Sequence, residues 1–135
     1  DADLFVGAAA VADYRPAELA AEKIKKKDAD LALRLVRNDD ILVRVRTAYP
    51  DLFMVGFAAE TEKLEAHARE KLVRKSLDLI AANWVGNGRA FDQDHNQLSV
   101  FWKDGCRELA QADKDILAHE LAALILERFH STPRA

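Results

Sequence analysis

Residues 4–12 form an unbroken run of small and apolar side chains, the pattern of a strand covered on both faces. Two further largely apolar segments, 52–58 (Leu-Phe-Met-Val-Gly-Phe-Ala) and 77–82 (Leu-Asp-Leu-Ile-Ala-Ala), also read as interior strands. Between them, residues 62–75 are good helix formers throughout, with Leu64, Ala68 and Leu72 spaced at four. Strand, helix and strand in that order predict a parallel pair joined by a right-handed crossover. Residues 31–37 alternate, with Leu31, Leu33 and Leu35 on one side, as a half-covered strand would. Residues 39–47 predict a short helix. Farther on, 98–103 and 106–109 flank Asp104-Gly105, a two-residue hairpin signal, because that turn needs positive φ. An Asp113 cap then opens a helix to about His130, with Leu117, Leu121, Leu124 and Ile125 on one stripe. The order of elements is α/β, with a hairpin and a C-terminal helix.

Length and charge narrow the picture. With 135 residues, 50% of them hydrophobic, the chain can fill one core but not two, so residues 1–135 read as one domain or part of one. Twenty basic and 23 acidic side chains leave a net charge of -3, which argues against nucleic acid as a partner. Cys106, the single cysteine, cannot form an internal bridge, and no apolar run reaches the roughly eighteen residues of a membrane span. The apolar opening is preceded by acids, unlike a secretory signal. A cytoplasmic, reducing setting is expected. A both-sides-covered strand needs neighbours, yet the first begins close to the chain start, and the only methionine is Met54. These features predict that an upstream part of the domain is missing.

Several residues could carry chemistry. Lys23, Lys25, Lys26 and Lys27 make a dense positive patch, read either as a solvated loop or as a clamp for a triphosphate. Asp13 lies where the first strand is expected to end, at a stop set by Pro16. Ligands of open α/β sheets sit outside such ends, so Asp13 could meet a ribose or a magnesium-bound phosphate, or could equally be a turn former. Phe57-Ala58-Ala59-Glu60-Thr61 is the matching end of another strand, where Phe57 could lie against a base. Lys71 and Lys75, one turn apart, fall within roughly 20° of Leu64 on the helical wheel, on the apolar stripe. A lysine there must snorkel to water or face an anion. A helix starting near Thr61 would place Lys71 about 15 Å along it from the strand end. His67, His95, His119 and His130 have no metal-ligand spacing; only His95 has acids nearby, Asp92 and Asp94. Cys106 reads as structural, and Gly86-Asn87-Gly88 is too short for a phosphate loop.

Taken in order, Ala8-Ala9-Ala10-Val11-Ala12-Asp13-Tyr14-Arg15-Pro16, Glu22-Lys23-Ile24-Lys25-Lys26, Val55-Gly56-Phe57-Ala58-Ala59-Glu60-Thr61, Lys71 through Lys75, and Asp78-Leu79-Ile80-Ala81-Ala82-Asn83 resemble the motifs of bacterial phosphopantothenate-cysteine ligases. The resemblance runs from about Asp3 to Phe129. It implies a Rossmann-like, mainly parallel sheet flanked by helices, from which the N-terminal part of the ligase domain is absent. It also implies the ligation of 4'-phosphopantothenate with L-cysteine in coenzyme A synthesis, through an acyl-cytidylate made from CTP with Mg2+. Carried over by position, Asp13, Lys23, Asn38, Asp39, Asp40, Ile41, Phe57, Lys71 and Lys75 are nucleotide-contacting. Lys23 carries the activation step and Lys25 and Lys26 belong to the same phosphate loop. No protein side chain is assigned to a metal. The family works as a homodimer, and FMN enters only where a decarboxylase is fused ahead of the ligase. The chain departs from the pattern at Asn38-Asp39-Asp40-Ile41, where the family usually has Asn-Pro-Asp-Ile, and at Trp84, where it usually has Asp. Two other classes fit the bare α/β pattern. A dinucleotide-binding oxidoreductase would need a glycine fingerprint that these residues lack, and a noncatalytic module would use the lysine loop to dock an acidic partner.

Overall fold

A computed structural model of the chain describes residues 2–24, 30–85 and 95–132. The elements are β1 (Leu4–Gly7), β2 (Tyr14–Pro16), β3 (Leu35–Arg37), α1 (Ile41–Ala48), β4 (Phe53–Glu60), α2 (Leu64–Arg74), β5 (Leu79–Trp84), β6 (His95–Trp102), β7 (Gly105–Asp113) and α3 (Lys114–Ser131). Five strands form one sheet in the order β1-β4-β5-β6-β7, and β2 and β3 form a separate pair. β1, β4 and β5 run parallel, as the strand-helix-strand pattern predicts, while β6 and β7 close the far side antiparallel. The protein is α/β, with the expected hairpin and C-terminal helix. No helix among the described residues is long and apolar enough to cross a membrane.

Period-two alternation divides the core. Phe53, Val55, Leu79, Ala81, Val100 and Leu109 face α3, whose buried Leu117, Leu121, Leu124 and Ile125 are the stripe legible in the sequence. Met54, Ala58, Ile80, Ala82 and Phe101 face the opposite way, toward Ala68 and Leu72 of α2 and Leu42 and Val45 of α1. Each fully buried aliphatic side chain contributes about 2 kcal/mol. Gly7 and Gly56 are register partners in β1 and β4. A Cβ on Gly7 would stand 2.8 Å from Leu42, and one on Gly56 would stand 2.6 Å from Leu77 and 3.5 Å from Leu42. The absent side chains let α1 settle directly onto the two strands.

A second fastening holds the other end of α1. Arg46 donates from Nε to the Ser76 carbonyl at 2.8 Å and from Nη1 to those of Pro50 and Leu52 at 2.6 and 2.8 Å. Its Nη2 meets Asp78 Oδ2 at 2.6 Å, and that oxygen also accepts from the Met54 N–H at 2.8 Å. One guanidinium thus joins α1, the entry to β4 and the loop before β5.

Four expectations need correction. The first strand stops at Gly7, and residues 8–12 are exposed. Alanine has little strand preference and little surface to bury, and β1 pairs only with β4 among the described residues. In residues 31–37 only β3 is a strand, paired antiparallel to β2, with Leu31, Leu33 and Leu35 exposed because no layer of the described residues covers the pair. Pro16 is not what stops the first strand, which ends nine residues earlier at Gly7; it is the last residue of β2 and pairs with Leu35, where an edge tolerates its missing N–H. At the hairpin, Trp102 pairs with Gly105, so the turn is Lys103-Asp104, one residue earlier than expected. Glycine is needed at 105 because a Cβ would lie 2.7 Å from the Trp102 ring.

The end of α2 carries a testable strain. Leu77 N–H bonds to the Leu72 carbonyl at 2.9 Å and Ser76 N–H to that of Val73 at 3.1 Å, closing the helix with a left-handed Ser76 at φ 50. Glycine adopts that conformation without Cβ strain, so Ser76→Gly is expected to raise stability by about 1 kcal/mol in chemical denaturation.

Candidate functional site

Several of the predicted site residues are joined directly: Asn38 to Asp13, and Asp40 to Lys75. Asn38 stitches the segment before α1 to the one after β1. Its N–H donates to the Asp13 carbonyl at 2.8 Å and its Nδ2 to that of Ala12 at 2.7 Å. Its Oδ1 accepts from Arg15 Nη1 at 2.9 Å. Asp13 and Asn38 are therefore neighbours, as an edge-of-sheet site requires. Two residues on, Asp40 caps α1: Oδ1 accepts from the N–H groups of Leu42 at 3.1 Å and Val43 at 3.4 Å. Its Oδ2 meets Lys75 Nζ at 2.9 Å, so the C-terminal end of α2 is tied to the N-terminal end of α1. Asp39 meets Arg44 at 3.2 Å and is exposed.

Burial works to raise the Asp40 carboxyl. The Lys75 ammonium and the Val43 and Leu42 N–H groups outweigh it and hold the carboxyl below the ordinary 3.8. A lowered folded value stabilises fully above the ordinary one and fades as the pH falls through the folded one. The stability difference between the parent and Asp40→Asn should therefore be constant above about pH 5 and shrink below pH 3.8, as measured by urea unfolding across pH.

Lys71 is held differently. Glu60, the last residue of β4, is 8% exposed, and its Oε1 accepts from Lys71 Nζ at 2.6 Å while Oε2 faces His67 Nδ1 at 3.2 Å. The expected separation of Lys71 from the strand end is thus bridged: α2 begins only at Leu64, and the long Lys71 side chain reaches back to the end of β4. Both helix lysines sit on the apolar side, and each answers the cost of that position with a carboxylate from another element. These carboxylate partners were not legible. The available signal was an acid closing an apolar strand, followed by His67 and Lys71 at helical spacing.

The other candidates lie apart. Phe57 is 39% exposed and shares the α3-side face of Phe53 and Val55, opposite Glu60. Lys23 is exposed and takes no part in the Asp40–Lys75 or Glu60–Lys71 pairs. Lys25, Lys26 and Lys27 lie outside the described residues, as do Gly86, Asn87, Gly88, Asp92 and Asp94. Trp84, 45% exposed, borders a groove of about 600 Å³ shared with Lys63, Leu64, Phe101, Ser99 and Glu108. Cys106 is exposed. His119 Nδ1 lies 2.7 Å from the Asp115 carbonyl of its own helix. Among the described residues no group of three His, Cys, Asp or Glu could hold a metal.

The chain is similar to known proteins in sequence and in fold. Residues 1–129 match the model of the DNA/pantothenate metabolism flavoprotein C-terminal domain. The chain is 45% identical over 132 residues to the coenzyme A biosynthesis bifunctional protein CoaBC of Haemophilus influenzae, covering 96% of this chain and 32% of that protein. The CoaBC protein of Escherichia coli K12 is 42% identical over 137 residues, covering 98% and 34%. The chain spans about a third of the length of the curated relatives it matches. A crystal structure of the C-terminal domain of CoaBC superposes with a TM-score of 0.73 at 30% identity, covering 96% of this chain and 56% of that one. A DNA/pantothenate metabolism flavoprotein from Streptococcus pneumoniae, 23% identical with a TM-score of 0.71 and 96% and 62% coverage, shares the fold. A match over nearly its whole length shows that the chain belongs to the family of DNA/pantothenate metabolism flavoprotein C-terminal domains.

Proposed function

We propose that this chain is the carboxyl-terminal portion of a CTP-dependent phosphopantothenate-cysteine ligase domain that works in the cytoplasm in coenzyme A synthesis. The reaction it would serve has two transfers. A carboxylate oxygen of 4'-phosphopantothenate attacks the α-phosphorus of CTP and expels pyrophosphate. The amine of L-cysteine then attacks the acyl carbon, loses a proton and expels CMP. Both leaving groups are anions, so the domain must supply fixed positive charge. What supports this reading most is the pair of helix lysines, Lys71 and Lys75, held by carboxylates near the ends of the parallel strands and beside the start of α1. Each ammonium has three N–H donors, so one contact leaves others for phosphate oxygens. Lys23 would add charge to the departing phosphates, with Lys25 and Lys26 in the same loop, and Phe57 and the Asn38–Ile41 turn would meet the base and ribose.

Mg2+ usually binds through one or two carboxylates, water and the substrate's own phosphates, so the triphosphate itself would carry the metal into the site. Bound there, it would offset part of the phosphate charge. Two further parts of the reading rest on exposed surface. The far edge of β1 pairs with no strand among the described residues, which fits a preceding part of the same domain. The exposed Leu31, Leu33 and Leu35 on the β2–β3 arm fit burial in a homodimer. FMN would belong to a fused decarboxylase and takes no part here.

The test is titration of the full-length protein with CTP, ATP, NAD and inorganic triphosphate in Mg2+, alongside release of CMP and pyrophosphate on adding both other substrates. Saturable, CTP-selective binding and equimolar CMP and pyrophosphate are expected. Lys23→Gln should slow the release about tenfold, the loss of one phosphate-facing charge. An equal response to every polyanion would show a nonspecific anion patch instead.

A further inference from the structure

Glu60 is the only buried charged residue among the described residues. Its backbone is fixed twice: it is the register partner of Trp84, and its carbonyl accepts from the Val85 N–H at 2.8 Å. Its side chain is fixed twice more, by His67 and Lys71, which stand one turn apart on α2. Both carboxylate oxygens are thereby engaged. Lys71 keeps a third of its side-chain surface, 33%, open to solvent. An ammonium that left Glu60 would strand a buried carboxylate with only a histidine beside it, so departure is disfavoured.

From this arrangement we infer that Glu60 is a positioning residue: it holds the Lys71 ammonium at a fixed point at the strand end, with its remaining N–H donors turned outward for a nucleotide phosphate. The inference rests on the reading of Lys71 as a nucleotide-binding residue. A free lysine must give up rotamer freedom when an anion binds, and one already pinned gives up little. His67 serves the same end by holding the second oxygen, so that the carboxylate does not swing away from α2. Glu60 itself touches no substrate; it acts through Lys71.

The experiment measures the KM for CTP of the full-length protein, with kcat and melting temperature, in five variants. Glu60→Ala is expected to raise the KM for CTP about tenfold with little change in the KM for L-cysteine, and to add nothing in a Lys71→Ala background. Glu60→Gln keeps the reach: its amide oxygen still accepts from Lys71 and its amide N–H still faces His67 Nδ1. It should stay within about threefold of the parent. Glu60→Asp keeps the charge but withdraws it by one methylene, and should be worse than Glu60→Gln. If Glu60→Ala does not fold, the order of Gln and Asp decides. Multiplicative losses in the Glu60→Ala, Lys71→Ala pair, or Asp better than Gln, would overturn the inference. An unchanged KM for CTP in Lys71→Ala alone would instead remove the nucleotide reading of Lys71, and the inference with it.

Discussion

Lys75→Ala is expected to raise the KM for CTP about 100-fold in the full-length protein while changing stability by less than about 1 kcal/mol. Two effects add in the same direction. One charged donor to the phosphates is lost, which by itself is worth about 1.5–3 kcal/mol. The Asp40 carboxylate, now paired with Lys75 at 2.9 Å, is also left uncompensated beside the incoming polyanion. Stability changes little because the pair is partly wet, with 21% and 39% of the two side chains exposed, and Asp40 keeps its capping bonds to Leu42 and Val43. The double variant Asp40→Asn, Lys75→Ala should recover part of the affinity, since it removes the repulsion but not the missing donor. Steady-state kinetics at fixed Mg2+ check this, and a double variant as weak as Lys75→Ala would show that unmasked charge plays no part.

The second large effect is on stability. Arg46→Ala should cost about 3 kcal/mol in urea unfolding, because four acceptors lose one donor group and the half-buried Asp78 loses its counter-charge. Asp78→Asn should cost less, about 1 kcal/mol, since an amide oxygen can still accept from the Met54 N–H. Arg46→Lys should rescue little, as a single ammonium cannot span the positions of three guanidinium nitrogens. A loss below about 1 kcal/mol for Arg46→Ala would mean that solvent replaces the network at no cost.

Much of this fold can be read along the chain where burial is continuous. β4, β5 and the α3 stripe are legible because each is packed by many neighbours, so apolar run and period coincide with the element. Reading fails where burial is absent. Residues 8–12 have the composition of an interior strand but meet no covering layer, and the alternating leucines of 31–35 line no core. At the site, Lys71 and Lys75 stand out as cations on an apolar stripe, a conflict resolved either by water or by an anion nearby. The structure supplies two from within the chain, Glu60 from β4 and Asp40 from the cap of α1. Those pairings join residues 11 and 35 positions apart, on different elements, so the period of no single element reports them. The Arg46–Asp78 fastening is hidden for the same reason.

The missing side chain at Gly7, beside its register partner Gly56, sets the height of a whole helix. Leu42 rests in the space left there, and Leu42 lies two residues from Asp40, which in turn anchors Lys75. A methyl group inserted at Gly7 would act as a wedge beneath α1, tilting its first turn and carrying the carboxylate and its lysine outward together, whereas one at Gly56 would press first on Leu77. Geometry at the mouth of the sheet is therefore governed from below, by residues that no ligand would ever touch.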